Sequence, residues 1–487
     1  MANLELSVPI SRETMFYLGS TSKEYTAMAV LLLAGQGALK LEDPIRKWLP
    51  QLPAYMQPIT IRRLLEHTSG IRDYIGLWTL SAPPEDAALT DREVWDIILR
   101  QKALNFRPGD EFLYSNSNYF LLAHILRPAA FRMLPDFARE RIFDPLGLRH
   151  TLYYTDRFAL LPHRATGYSA GGNGAYRINT ATLDVAGDGG VFTNIEDALK
   201  WIGITAKPPP PYAAAVSGMM TRAMLNSGDS AEYGRGLMLK KYRGLDIVSH
   251  AGGLRGYRSE LLWVPSRNLG VACLCNTSDA DPARLARAVA DAWMGPVAEP
   301  GRPKLPPSEL RRKTGVFRDK NSGDYLRIVY GGGRFLALYQ GFQIDLQPET
   351  PMRFRAESPL SLEIDFENAG DRDEPRFIRV ESESHRRVHL ERVTLDRSRP
   401  PDLPSFEGVY YCEEAQSRMA VRIVDGMLNL EQHEQRIAAL EPMQRDRYRS
   451  ATLNVEFERD AAGKIRAFRL NTGRVRGLEY VRLKPGA

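Results

Sequence analysis

Cysteine is nearly absent from this chain. Its 487 residues contain three, Cys273, Cys275 and Cys412, an odd and sparse set that excludes a disulfide framework. Cys273 and Cys275 stand two apart in "GVACLCN", so on a strand they share one face and read as small core residues. The eight histidines show no H-x-x-x-H spacing beside a cysteine, so no structural zinc is expected, nor any other cofactor. No apolar run reaches about 18 residues, which removes a membrane-spanning helix and a membrane partner from the expectations. The opening "MANLELSVPIS" has no basic stretch and no apolar one, so it does not read as a signal peptide. As it stands the sequence reads as cytoplasmic, with the periplasm as the alternative if a leader precedes it. Lys and Arg outnumber Asp and Glu by 65 to 59, but they are dispersed, so nucleic acid is not an expected partner.

What is present is an ordinary globular composition, 43% apolar and 25% charged, on a length that predicts two to four domains at roughly 100–200 residues each. Residues 1–296 mix helical and β-type patterns. Glu24 to Leu33 is apolar and continuous enough for a buried helix. "DREVWDIILRQ" has helical spacing with Asp91 as N-cap. "NSNYFLLAHIL", from Asn116, predicts another buried helix. "LDIVSH", "YRSELLWVP" and "LGVACLCN" are three short β-type runs. "DPARLARAVADAWMG" then gives a helix, with Asp281 as N-cap, Pro282 in the first turn and Gly295 as stop. This order predicts a sheet flanked by helices. A Pro-rich linker follows over 297–309.

Beyond it, short alternating runs such as "YLRIVYGG", "SLEIDFE" and "RFIRVES" predict small antiparallel barrels or sandwiches. A weak internal repeat aligns Gly315-Val316-Phe317 with Gly408-Val409-Tyr410, 408 − 315 = 93 residues apart. Two similar barrels, over 310–398 and 399–487, follow from it, divided at "SRPPDLPS".

The chemistry is concentrated at Ser20. In "FYLGSTSKEYTAMAVLLL" a serine precedes Lys23 by three residues, and residues three apart share a helix face. A serine hydroxyl needs a base to become a nucleophile. A buried lysine, its charge disfavoured by desolvation, can be that base. Alone, S-x-x-K is common by chance. Two further motifs accompany it here: Tyr114-Ser115-Asn116 in "PGDEFLYSNSNY" and His250-Ala251-Gly252 in "VSHAGGLRGYRSELLWVP".

The order S-x-x-K, Y-x-N, H-x-G resembles the serine β-lactamase and penicillin-binding protein superfamily. "LEDPIRKWLPQLP", "ITIRRLLEHTSGIRDY", "IFDPLGLRHT" and "GDGGVFTNIEDALKW" resemble its class C branch, over residues from about 10 to 295. The resemblance implies an α/β (α+β) class C β-lactamase-like domain with an antiparallel sheet flanked by helices. It implies Ser20 as nucleophile, Lys23 and Tyr114 as its proton partners, and Asn116, His250 and Gly252 as substrate-binding residues. The backbone N–H groups of Ser20 and Gly253 would form the oxyanion hole. His250 stands where β-lactamases carry a lysine that binds a carboxylate. A neutral histidine there argues against a good β-lactamase and resembles D-aminopeptidases and esterases. A class C-like domain followed by two lipocalin-like barrels resembles bacterial D-aminopeptidase, in which a loop of the last barrel reaches the active site. The sequence does not identify that loop; "YYCEEAQS" and "LEQHEQRIAALEPMQRD" are both candidates, and an acidic group near the site would suit a substrate's amino group.

The expected activity is therefore hydrolysis of small D-amino-acid amides or short peptides through an acyl-enzyme. A carboxylesterase of the same superfamily and a non-catalytic penicillin-binding or sensor protein are the alternatives. His67 reads as structural, and Asp188 as a turn residue. Only 19 residues precede Ser20, whereas family members place a helix and a strand pair ahead of the matching stretch. Either the native start lies upstream or Leu269–Asn276 is covered by another segment or by a partner chain, which makes a homodimer an expectation.

Overall fold

The computed structural model describes residues 1–84, 87–180, 183–295, 301–339, 342–356, 362–367, 375–382, 387–396 and 402–484. Helix α1 (Lys23–Gly35) is buried over nearly its whole length, as a helix apolar all round must be. Helix α2 (Tyr74–Leu80) is short, and Asp73 caps it by accepting from the Ile75 and Gly76 amides. Helix α3 (Asn116–Ala130) packs beside α1 with Tyr119 to Leu122 fully buried. Helix Asp91–Leu99 starts one residue earlier than expected. Thr90, not Asp91, is its cap, and Glu93 completes a reciprocal capping box with Thr90.

Helix α4 (Ile195–Ala206) and the sheet complete the hydrolase-like domain. The sheet has four antiparallel strands, β1 (Met238–Tyr242), β2 (Leu245–Leu254), β3 (Tyr257–Val264) and β4 (Leu269–Cys275), in the order β4-β3-β2-β1. The three β-type runs of the sequence are β2 to β4. β1, "MLKKY", was hidden by its two lysines. Helix α5 (Pro282–Met294) buries Ala286 and Ala290 against Ile247, Leu262, Val264 and Val271. Its cap is Asp281, which accepts from the Arg284 amide at 2.9 Å.

β4 pairs with β3 from Val264↔Leu269 to Arg258↔Cys275. Among the described residues no strand pairs with its other edge; only its end is tied, through Tyr168 N to Asn276 O at 3.0 Å.

Two nearly closed antiparallel β-barrels follow, each of nine strands among the described residues. The first runs from Gly315–Asp319 to Arg387–Arg392 and the second from Gly408–Cys412 to Leu478–Arg482. In each, the first strand pairs with both the second and the last. The repeat is a repeat of register: Gly315 faces Ile328 and Gly408 faces Val421. The first barrel has a core of its own. The core of the second is continuous with the hydrolase-like domain. Residues 297–300 of the expected linker lie outside the described residues, and a short helix, Pro307–Arg312, already begins inside it. Half of the second Pro-rich break, 398–401, lies outside them as well.

Candidate active site

The site is built where the chain leaves Leu18. Ser20 sits in a 3₁₀ turn, Gly19–Ser22, and the α-helix proper begins at Lys23. This turn is clamped to the sheet. Ser259 Oγ donates to Leu18 O at 2.7 Å, and Thr21 Oγ1 donates to His250 O at 3.1 Å. The approach is as close as two backbones allow. A Cβ on Gly252 would lie 1.8 Å from Leu18 O, and one on Gly19, whose φ is +56°, would lie 2.5 Å from Gly253 N. Only glycine fits at either place. A two-residue turn joins Leu254 to Tyr257, and Gly253 faces Arg258. The alternation of an antiparallel pair then points the Gly253 N–H away from β3. β1 pairs with β2 only as far as Ser249, so that amide faces the Ser20 turn.

Lys23 is fully buried. Its Nζ donates to Asp188 O at 2.7 Å, to Asn116 Oδ1 at 2.8 Å and to Ser20 Oγ at 3.2 Å. Burial pushes the amine down to about 7, against the opposing pull of the Asp188 and Asp73 carboxylates. Asn116 is oriented by Asp73, whose Oδ2 accepts from the Asn116 backbone N at 2.9 Å and from its Nδ2 at 2.8 Å. With Nδ2 held there, the amide turns its oxygen to Lys23. Asp73 therefore caps α2 with one oxygen and sets the Asn116 rotamer with the other.

Tyr114 lies with its ring 4.9 Å from Lys23 Nζ and 4.2 Å from the ring of His67. Its hydroxyl is buried with no hydrogen-bond partner among the described residues. Burial holds the phenol far above its usual value, although the neighbouring Ser20 draws it the other way. His67 is fully buried, and its Nδ1 accepts from Ser115 N at 3.3 Å and faces Asn118 Nδ2 at 3.0 Å. It supports the Tyr114 segment from beneath. His250 is also buried, and burial pushes its imidazole down to about 3. Its Nδ1 lies 2.7 Å from Ala251 O and its Nε2 3.4 Å from Tyr233 Oη, so this neutral ring carries a proton on Nδ1 and accepts at Nε2.

The structure thus brings Ser20, Tyr114, Asn116, His250, Gly252 and Gly253 to one cleft of about 730 Å³, with Lys23 buried behind it in contact with Ser20 and Asn116. Three residues of the site were given no role in it by the sequence reading. Asp73 looked like one more polar residue of "GIRDY". Asp188, read as a turn residue, gives Lys23 its carbonyl and holds Tyr74 Oη through its carboxylate at 2.7 Å. Burial raises that carboxyl above the ordinary range. The third, Arg474, comes from the second barrel.

Its loop, "NTGRVRG" at 471–477, is the barrel segment that enters the cleft, with Gly473 and Arg474 in the wall. Neither acidic stretch does so. Glu414 of "YYCEEAQS" instead pairs with buried Arg72 at 2.5 Å, and Gln432 of the other stretch donates to Leu80 O at 2.8 Å. Both fasten the barrel to the domain outside the cleft. The side chain that reaches the site is thus basic, where an acidic one was expected.

Three motifs clamped together by close glycine packing define a β-lactamase-like serine site, and the chain belongs to the beta-lactamase family, which its residues 1–292 match. It is 26% identical over 431 residues to a D-aminopeptidase of Gluconobacter oxydans, covering 88% of this chain and 79% of that protein. It is 31% identical over 273 residues to penicillin-binding protein 4* of Bacillus subtilis, covering 52% of this chain and 59% of that one. Among solved structures, the octameric penicillin-binding protein homologue of Pyrococcus abyssi superposes with a TM-score of 0.55 at 21% identity, over 80% of this chain and 91% of that one. Among the described residues no helix is long and apolar enough to cross a membrane, and no group of three or more His, Cys, Asp or Glu could hold a metal ion.

Proposed function

We propose that this chain is a serine hydrolase that cleaves small D-amino-acid amides or short peptides through an acyl-enzyme on Ser20. The observation that carries this reading is the set of partners around Lys23. A neutral amine has two N–H donors and one lone pair. Asp188 O and Asn116 Oδ1 can only accept, and they are its two nearest partners, so they take the two donors. The lone pair is left for the Ser20 hydroxyl at 3.2 Å.

Ser20 Oγ then attacks the scissile carbonyl carbon while its proton passes to Lys23 Nζ. The carbonyl oxygen takes the negative charge and is held by the backbone N–H groups of Ser20 and Gly253. Collapse breaks the C–N bond, and the leaving amine takes a proton through Tyr114. Water then attacks the ester by the same route and frees Ser20. Asn116, Gly252 and His250 bind the substrate backbone. The D-preference is carried by the D-aminopeptidase relatives. A carboxylesterase would run the same steps with an alkoxide leaving, and a sensor would stop at the acyl-enzyme. Comparing D-Ala p-nitroanilide, L-Ala p-nitroanilide and p-nitrophenyl acetate separates these readings. Turnover of the D-anilide at least about tenfold above the L-anilide is expected, whereas ester-only turnover or stoichiometric labelling without turnover would replace the proposal with an alternative.

A pH dependence follows from Lys23. Its amine falls from an ordinary value near 10.5 to about 7, and the neutral form is the base. The logarithm of kcat/KM should therefore rise with pH up to about 7 and level off above it. The same shift makes the protonated amine unfavourable in the fold, so the Lys23 contribution to stability rises with pH between about 7 and 10.5. An activity limb that instead rises through pH 9 to 10 would show that Lys23 is not the base.

Two further parts of the reading concern the whole molecule. Cytoplasmic residence is tested by fractionating cells that express the native gene. A homodimer would pair two copies along the outer edge of β4, whose backbone groups have no strand partner among the described residues. Substituting Ala272 by Pro removes one edge donor and should turn a dimer in sedimentation into a monomer; a wild-type monomer at every concentration would end this part.

A further inference from the structure

Arg474 is held in a way its surroundings do not use. Its backbone is fixed from several sides. Arg474 O accepts from Asn105 Nδ2 at 3.0 Å and from Asp73 N at 3.4 Å, and the next residues are tied by Thr472 N to Val475 O at 2.7 Å and Arg476 N to Asn105 Oδ1 at 2.9 Å. Val475 is fully buried and packs where a Cβ on Gly76 would meet it at 2.9 Å. Arg476 pairs with Glu111 at 3.1 Å. The first barrel braces the loop too, since Asn471 Nδ2 donates to Ser322 O at 2.7 Å.

The side chain on this rigid mount is 48% exposed in the cleft wall. Its guanidinium lies over the Tyr114 ring, 4.8 Å from the centroid. Among the described residues the only carboxylate within 4 Å is Asp73, with Nη1 to Oδ2 at 3.6 Å, beyond hydrogen-bond length. That oxygen already accepts twice from Asn116. The fork of N–H donors therefore faces the cleft, at the mouth of the Ser20 site.

We propose that Arg474 is a specificity-determining residue that binds a free carboxylate carried by the substrate, in the role His250 cannot fill. A guanidinium takes a carboxylate in two parallel hydrogen bonds. The ring beneath it fixes its plane by a cation–π contact. The guanidinium repels a substrate ammonium group placed beside it, so among small D-amino-acid amides and short peptides those that also carry a carboxylate are favoured. This inference rests on the hydrolase reading and narrows its substrate class.

The test is calorimetric binding to the Ser20→Ala protein, which needs no turnover. Two matched pairs locate the carboxylate. D-Alanyl-D-alanine against its C-terminal amide places it in the leaving half. N-Succinyl-D-alaninamide against N-acetyl-D-alaninamide places it in the acyl half. In one pair the carboxylate member should bind at least about tenfold tighter. Adding Arg474→Ala should erase that ratio, Arg474→Lys should keep part of it, and Arg474→Glu should invert it, with thermal melting confirming that each variant folds. Equal binding within both pairs, or a ratio that survives Arg474→Ala, overturns the inference. Equal binding with normal D-anilide turnover in the native chain would sink this inference alone. A carboxylate ratio without turnover by the native chain would sink the hydrolase reading alone.

Discussion

Ser20→Ala is expected to lower kcat/KM on D-Ala p-nitroanilide by about three decades or more and to abolish labelling by a fluorophosphonate probe. Lys23→Ala should fall within a few fold of it, and the Ser20→Ala/Lys23→Ala double variant should be no worse than either single one. The reason is that both remove one proton path. Without Lys23 the hydroxyl has no acceptor at 3.2 Å, and without the hydroxyl the amine has nothing to activate. In the proposed mechanism Lys23, and not Tyr114, is the base. Burial pushes the Tyr114 phenol up while burial pushes the Lys23 amine down to about 7, so the amine gives up its proton far more readily than the phenol does. A buried phenol without a partner among the described residues is suited to handing a proton to the leaving amine. Losses at Ser20 and Lys23 that add in free energy, or labelling that persists in Ser20→Ala, would remove this account.

The legible part of the site was the part that works through neighbours in sequence. Ser20 and Lys23 meet because they are three residues apart. Tyr114 and Asn116 sit at the entry of one helix, and His250 to Gly253 lie on one strand. Asp73 was not legible, because its role depends on Asn116, 43 residues away in sequence, and no periodicity marks it. Asp188 acts on Lys23 through its backbone carbonyl, a contact independent of its side chain. Arg474 was the hardest. Nothing in "NTGRVRG" sets it apart from other turns, and only the docking of the second barrel through Arg72, Asn105 and Val475 carries it to the cleft. Among the sheet strands, β2 to β4 were visible as apolar runs. β1 was not, because Lys240 and Lys241 break its pattern. The barrels were visible as short alternating runs, and their repeat showed that there are two.

Gly252→Ala is expected to lower kcat by roughly 10²–10³-fold, more than Gly253→Ala, although the proposed mechanism gives the oxyanion to the Gly253 amide. The difference lies in what each added methyl meets. On Gly252 it would lie 1.8 Å from Leu18 O and 2.5 Å from Ser259 Oγ. Neither can move aside alone, because Ser259 Oγ donates to that same carbonyl at 2.7 Å and also lies 3.0 Å from Thr21 Oγ1. Strand β2 and the Ser20 turn must therefore separate, and the Gly253 N–H moves off its line to the substrate oxygen. Losing one oxyanion donor costs about 3–4 kcal/mol of barrier, which sets the expected drop. On Gly253 the methyl would meet Arg258 Cδ at 3.1 Å and Nη1 at 3.3 Å, the far part of a flexible side chain that can shift. Gly252→Ala should also melt earlier, since the clamp it breaks holds the nucleophile turn to the sheet. Circular dichroism melting and kcat measured on both variants decide the matter. If Gly253→Ala is the inactive variant and Gly252→Ala keeps activity within a few fold, the close packing of β2 on Leu18 is not what positions the oxyanion hole.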